Sequence, residues 1–107
     1  MRIRLAELVH VCSGARGDTL TIGVIARRKE DYPVLARRLT PERLLAYFAG
    51  RVRGPVERYE APNLAALNFV LHGALGGGVG LSLRTDAEGR GLAAALLRME
   101  IEIGRED

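Results

Sequence analysis

"NLAALNFVLHGALGGG" occupies residues 63–78, and the period read from it decides the fold. At about 100° per residue, Leu64, Leu67, Val70, Leu71 and Ala74 fall on one continuous apolar stripe, which predicts a helix. Asn63 stands where a capping side chain is wanted, and Gly76-Gly77-Gly78 follows where a terminator would. On that helix Asn68 and His72, four residues apart, stack on a neighbouring stripe with only Ala65 beside them. A helix this apolar is buried on most sides, so its two polar side chains need partners. Two readings stay open. Either the pair bonds to backbone or to each other and specifies packing, or it supplies the polar groups of a pocket floored by the helix. In the second, His72 can move protons near neutral pH.

Upstream lies "CSGARGDTLTIGV", residues 12–24. Ser13 to Thr19 reads as a loop, again with two readings. Asp18 and Thr19 suit a turn in which they bond their own backbone. Alternatively Ser13, the amides of Gly14 and Gly17, and Arg16 form a small anion-binding concavity, with Asp18 as acid or base. Cys12 is a nucleophile only where a base activates it. The tripeptide Arg16-Gly17-Asp18 spells a cell-adhesion motif, a coincidence in a chain read as cytoplasmic. Leu20 to Arg27 is apolar on both faces and predicts a central strand, with Gly23 marking a close backbone approach.

The remaining elements surround these two. Ile3 and Leu5 alternate with Arg2 and Arg4 as a short first strand, while Ala6 to Val11 fits neither period. Asp31 caps a short helix with Pro33 in its first turn, running to about Leu39. Thr40-Pro41-Glu42 starts another, with Leu44, Leu45, Tyr47 and Phe48 inward and a stop at Gly50. Val56 to Glu60 and Leu81 to Arg84 are strands, and Asp86 to Gly89 is a turn. "GLAAALLRMEIEI" begins as a helix and ends as a strand, with Met99, Ile101 and Ile103 alternating against Arg98, Glu100 and Glu102. Connections this short and varied exclude a doubly wound parallel sheet. They predict an α+β two-layer sandwich, one mainly antiparallel sheet with helices packed on one face.

At 107 residues the chain is sized for one domain over 1–107. The single cysteine excludes an internal disulfide, and with no signal segment in front the expectation is cytoplasmic. The charge-free stretch from Ala61 to Leu83 is broken by Pro62, Asn63, Asn68, His72 and glycines, so no membrane span is expected. Fifteen of the sixteen basic residues are arginine, glutamine is missing, and asparagine occurs only at 63 and 68. Scarce amides are a trait of heat-adapted proteins, and GC-rich coding gives a similar bias. The net charge of +3 invites a nucleic-acid reading. Against it, the arginines are spread out with acidic neighbours, and 5% aromatics give no strand a stacking platform.

Metal and nucleotide chemistry are not expected either. His10 and His72 are far apart, and no Cys/His/Asp cluster has ligand spacing. "GALGGGVG" follows its expected helix instead of preceding one, and it lacks the Gly-Lys-Ser/Thr ending of a phosphate loop.

At "SGARGDTLTIGVIAR", "PVERYEAPNLAALNFVLHGALGGG" and "SLRTDAEGRGLAAALLRMEI" the chain resembles the AtuA-like ferredoxin-fold family. This is the small C-terminal domain of acyclic terpene utilisation proteins, which also occurs free-standing. The likeness runs from about Leu5 to Ile101 and is most specific from Asn63 to Gly78. It implies a ferredoxin-like sandwich without an iron–sulfur cluster, which one cysteine could not ligate in any case. It also implies a setting in acyl-CoA or branched-chain acid breakdown beside a larger partner domain. Carried over by position, its polar groups are Ser13, Gly14, Gly17 and Asp18, then Asn63, Asn68 and His72, then Ser82 and Arg84. The chain departs at Ala15 and Thr21, where the family often carries an acid and an asparagine.

Two functions are therefore expected, neither needing a cofactor. The first is a small accessory module that self-associates or partners a larger AtuA-like subunit in acyl-CoA or terpenoid and branched-chain acid catabolism. The alternative is an enzyme or enzyme subunit acting on an acyl thioester. There His72 is the base, Asp18 a second acid–base group, and Arg84 or Arg16 holds an anion, with acyl-CoA as the ligand.

Overall fold

The computed structural model describes residues 2–49, 51–74 and 91–103. Its elements run β1 (Arg2–Arg4), β2 (Val9–Arg16), β3 (Thr19–Ala26), α1 (Tyr32–Arg38), α2 (Pro41–Tyr47), β4 (Val56–Ala61), β5 (Ala66–Leu71), α3 (91–97) and β6 (Glu100–Glu102). The expected helix at 63–75 is thus wrong: its centre is the strand β5. Leu67, Phe69 and Leu71 are buried while Ala66, Asn68 and Val70 are half-buried, a period of two. Leu64, placed on the helical stripe, is 70% exposed.

The chain leaves helical geometry at Ala65. After a 3-10 turn at Pro62–Leu64, Ala65 adopts φ +52°, in the left-handed region that no right-handed helix passes through. That conformation costs an alanine roughly 1–2 kcal/mol. It is held from both sides. The Ala65 N–H donates to Pro62 O at 3.0 Å, and Ala65 O accepts from the Ala26 N–H at 2.9 Å. Asn63, in the turn, is exposed and caps no helix.

β5 lies inside a four-stranded antiparallel sheet of order β2-β3-β5-β4. β3 and β4 both pair with β5, so they run parallel to each other and their connection crosses through α1 and α2. From β3 onward, the chain order β3–helices–β4–β5–α3–β6 is that of ferredoxin-like folds, with β5 set between the parallel β3 and β4, but the place beside β3 is taken by β2 and not by β6. β1 pairs with β6 in a separate two-stranded ribbon. As expected, β3 is central, and the 91–103 segment passes from helix to strand with Met99 and Ile101 buried.

The expected loop at 13–19 is mostly strand. β2 runs to Arg16 and turns back through Gly17 and Asp18 into β3. Only Gly17 of these two has positive φ (+62°), the type II′ pattern that matches strand twist.

Both short helices start where predicted. Asp31 precedes α1, with Pro33 in its first turn, but its side chain makes no capping bond. Thr40 Oγ1 accepts from the Arg43 N–H at 3.1 Å. At the far end of α1, Arg58 reaches over from β4 and donates to Ala36 O (2.6 Å) and Leu39 O (2.9 Å), satisfying carbonyls that the helix leaves open. The core forms between Ile22, Val24 and Phe69 of the sheet and Leu35, Leu44, Phe48, Leu92 and Leu96 of the helical layer, all buried. Leu45 and Tyr47, expected inward, are 39% and 41% exposed, so α2 buries a narrower stripe than its composition suggested. Gly50 and the segment 75–90, with the expected strand at 81–84 and turn at 86–89, lie outside the described residues.

Candidate functional site

The helices cover one face of the sheet. Registers place Cys12, Gly23, Asn68 and Tyr59 in one row across the opposite face, with Gly14, Thr21, Val70 and Glu57 in the next row. Every one of these residues is exposed or half-buried, in contrast to the sealed row of Ile22 and Phe69 behind them. Among the described residues, nothing of the chain's own layers this face.

Asn68 sits beside Gly23 because Gly23 has no side chain. A Cβ there would stand 2.9 Å from Cys12 Sγ and 3.9 Å from Asn68 Oδ1. The close approach at Gly23 is made by a side chain and not, as expected, by backbone, whose nearest atom, Cys12 O, would lie at an ordinary 3.9 Å; the glycine leaves room for the thiol on one side and the amide on the other. Cys12 is exposed.

His72 follows β5 directly and lies diagonal to Glu57, since Val70 is the residue opposite Glu57. Its position is fixed by backbone on both sides. The His72 N–H donates to Pro55 O (3.1 Å), and His72 O accepts from the Gly54 N–H (2.8 Å). Gly54 must be glycine for this: a Cβ there would stand 2.7 Å from His72 Cβ and 2.8 Å from His72 O. Gly73, at φ +64°, turns the chain away immediately afterwards.

The carboxylate that reaches the imidazole is Glu57. Its Oε2 lies 3.5 Å from His72 Nε2, and its Oε1 accepts from the Tyr59 O–H at 2.8 Å. The Nε2 atom is shielded from solvent and has no aligned hydrogen bond, so the Glu57 contact is electrostatic proximity, not a formed bond. The hydrogen bond and nearby charge of Glu57 hold the Tyr59 phenol above its ordinary value of 10.0, keeping it a donor. The arrangement places a carboxylate with a phenol on one oxygen and an imidazole near the other, within reach for proton exchange once the two are aligned.

Some of the other sequence candidates gather near this cluster. Asp18 belongs to the β2–β3 turn, and its carbonyl accepts from the Ala74 N–H at 2.8 Å, which brings the turn to the end of β5 that carries His72. Gly17 shares that turn, while Gly14 and Arg16 lie on β2, opposite Thr21 and Thr19. Ser13, opposite Ile22, is exposed at the sheet edge. Asn63 sits at the other end of β5 from His72 and is not brought to them. Ser82, Arg84 and the glycine run 76–78 lie outside the described residues. With a strand before that run, the directional argument against a phosphate loop loses its premise, and the missing Gly-Lys-Ser/Thr ending is what stands.

Sequence reasoning missed Glu57 and Tyr59. Their alternation in "VERYEA" was legible, but only a strand at 66–71 makes β4 its neighbour and puts Glu57 beside His72. Among the described residues no three histidine, cysteine or acidic side chains are grouped for a metal ion. No described helix is long and apolar enough to cross a membrane. A groove of about 350 Å³ between α2 and β6 is lined by Arg43, Ala46, Tyr47, Met99 and Glu100. Its polar groups already have partners, Arg43 Nη2 donating to Glu100 O (3.1 Å) and the Tyr47 O–H to Ala95 O (2.7 Å).

The family model of the AtuA ferredoxin-like domain matches residues 3–102. No curated protein matches the chain, and no solved structure does.

Proposed function

The chain belongs to the AtuA ferredoxin-like domain family, and from that premise we propose that it is an accessory binding module. It associates with itself or with a larger AtuA-like subunit that acts in acyl-CoA or terpenoid and branched-chain acid catabolism. One observation carries this reading: a sheet whose second face, Cys12 to Tyr59 across all four strands, is left uncovered by the chain's described layers. Partly apolar rows such as Thr21–Val70, with Ile25 and Tyr59 38% and 54% exposed, suit a protein surface better than bulk water. Light scattering on the chain alone and mixed with such a subunit tests it. A mass above that of one chain, or a joint complex, is expected; a lone monomer in both samples overturns it.

The His72–Glu57 approach favours a second reading, acid–base chemistry on an acyl thioester. His72 acts as base beside Glu57, with Asp18 as a second acid–base group at the adjoining turn and Arg16 as the anion holder. It predicts that acyl-CoA compounds raise the melting temperature of the wild type and not of His72→Ala. No shift in the wild type, with His72→Ala melting several degrees lower, makes the residue structural.

A further inference from the structure

The two edges of the four-stranded sheet are finished differently. The Arg27 N–H donates to Leu8 O at 2.8 Å, which sets the phase of the β2–β3 ladder. With that phase, residues 10, 12, 14 and 16 spend their backbone groups on β3, while Val11, Ser13 and Ala15 turn their N–H and C=O away from the sheet. Among the described residues no strand pairs with that side. At the other edge the bond from the His72 N–H to Pro55 O sets the phase, and Val56, Arg58 and Glu60 face outward.

The β4 edge is guarded as exposed strands usually are. Prolines bracket it at 55 and 62, and its outward residues Arg58 and Glu60 form an ion pair at 2.8 Å. β2 has none of these devices. It is eight residues long, its register on β3 is unbroken by a bulge, it contains no proline or acid, and Arg16 is its one arginine or lysine. Residues Cys12 to Arg16 are exposed.

We propose that β2 is the surface on which two copies of this chain join. The β2 strands pair antiparallel about a two-fold axis at Ser13, giving one continuous eight-stranded sheet. This rests on the self-association arm of the proposed function, but it places the joint at the sheet edge and leaves the uncovered face outside it. An isologous pair sets each residue against the one equally distant from the axis. Val11 then meets Ala15 and Cys12 meets Gly14, so each larger side chain faces a smaller one, and no charge faces its like across residues 11–15. The same operation on β4, centred on Arg58, sets arginine against arginine. Ser13 with its counterpart, and Val11 with Ala15 in both directions, are the hydrogen-bonded pairs. Every outward group of these three residues is satisfied. A peptide from another protein could pair with the same backbone; the residue-by-residue self-compatibility of 11–15 selects a second copy.

Light scattering on the wild type, Ser13→Pro and Gly14→Cys tests the edge. Proline at 13 removes one outward N–H and spares the bonds of residues 12 and 14 to β3. Gly14 has open space at its Cβ position and no positive φ, so cysteine fits there. The wild type is expected at about twice 11.6 kDa, and Ser13→Pro at one chain's mass with unchanged circular dichroism. In Gly14→Cys the new thiol faces Cys12 of the second copy in a non-hydrogen-bonded pair, at a Cα spacing of about 4.5 Å that a disulfide can bridge. Oxidation with diamide is therefore expected to give a covalent dimer on a non-reducing gel. A Ser13→Pro protein that stays dimeric, or a Gly14→Cys protein that does not cross-link, overturns the β2 edge and leaves association through another surface. A wild type that is monomeric alone yet bound by the larger subunit also overturns only the edge. Monomers in both samples overturn the edge and the underlying reading together.

Discussion

Leu64 belongs to the core stripe of a helix but lies outside the core here, where Phe69 is buried on the strand, so truncating each in turn is a direct test of β5. Leu64 is 70% exposed in the turn before the strand, and Leu64→Ala removes almost nothing from the core. Its effect on stability should stay within about 0.5 kcal/mol. Had the residue lain on a buried helical stripe, the same change would cost about 2–5 kcal/mol. Phe69 is fully buried between Ile22 of β3 and Arg58 of β4, and Phe69→Ala empties that position at a cost of about 3–5 kcal/mol. That is a large part of the roughly 5–15 kcal/mol holding such a domain together. Ile22→Val therefore gives a milder companion, expected at about 0.5–1.5 kcal/mol. Urea unfolding followed by far-ultraviolet circular dichroism supplies both midpoint and slope for each variant. A Leu64→Ala loss above about 2 kcal/mol, together with a Phe69→Ala loss below about 1 kcal/mol, would refute the strand.

Three further outcomes follow from particular contacts. Gly54→Ala forces a methyl onto the His72 backbone and should cost about 1–3 kcal/mol, moving the His72 ring signals in an NMR spectrum. Unmoved signals and an unchanged midpoint would show that the approach is looser than described. Thr40→Ala removes the α2 cap and should lower stability by about 1 kcal/mol in the same urea assay, with Thr40→Ser restoring it. Glu57→Gln should bring the ionisation of Tyr59 down toward 10.0, read as phenolate absorbance against pH. Because the folded value is raised, the contribution of this bond is present below the unfolded value and fades as pH rises through the folded one. A Tyr59 titration indifferent to the substitution would remove the Glu57 link.

Local signals of a few residues were legible where chemistry at one position decides the conformation. Thr40-Pro41-Glu42 opens α2, Pro33 stands in the first turn of α1, and Met99 to Ile103 alternates into β6, all because caps, prolines and side-chain period act over one turn or one pleat. Residues 66–71 fit both periods. Leu64, Leu67 and Leu71 mark a helix, and Leu67, Phe69 and Leu71 mark a strand, so pattern alone could not choose. The choice was made by β3 and β4, whose free backbone edges take up both sides of the segment. The site followed the same split. The sequence singled out His72 and Asn68 as polar groups on an apolar element, but placed them four residues apart on a helix facing the loop at 13–19. As a strand the same residues face Glu57, Tyr59 and Gly23.

By itself, then, the sequence determined an α+β chain with two short helices, the second opened by a Thr40 cap, a central apolar strand at 20–27 and two amide- or imidazole-bearing positions that needed partners. Tertiary structure alone decided which carboxylate meets His72, which sheet face stays open and which edge is left unguarded. The reason is physical. Helix caps and turn residues act through neighbours in the chain, whereas strand pairing is made between residues far apart in sequence, and only its completion fixes register, face and edge.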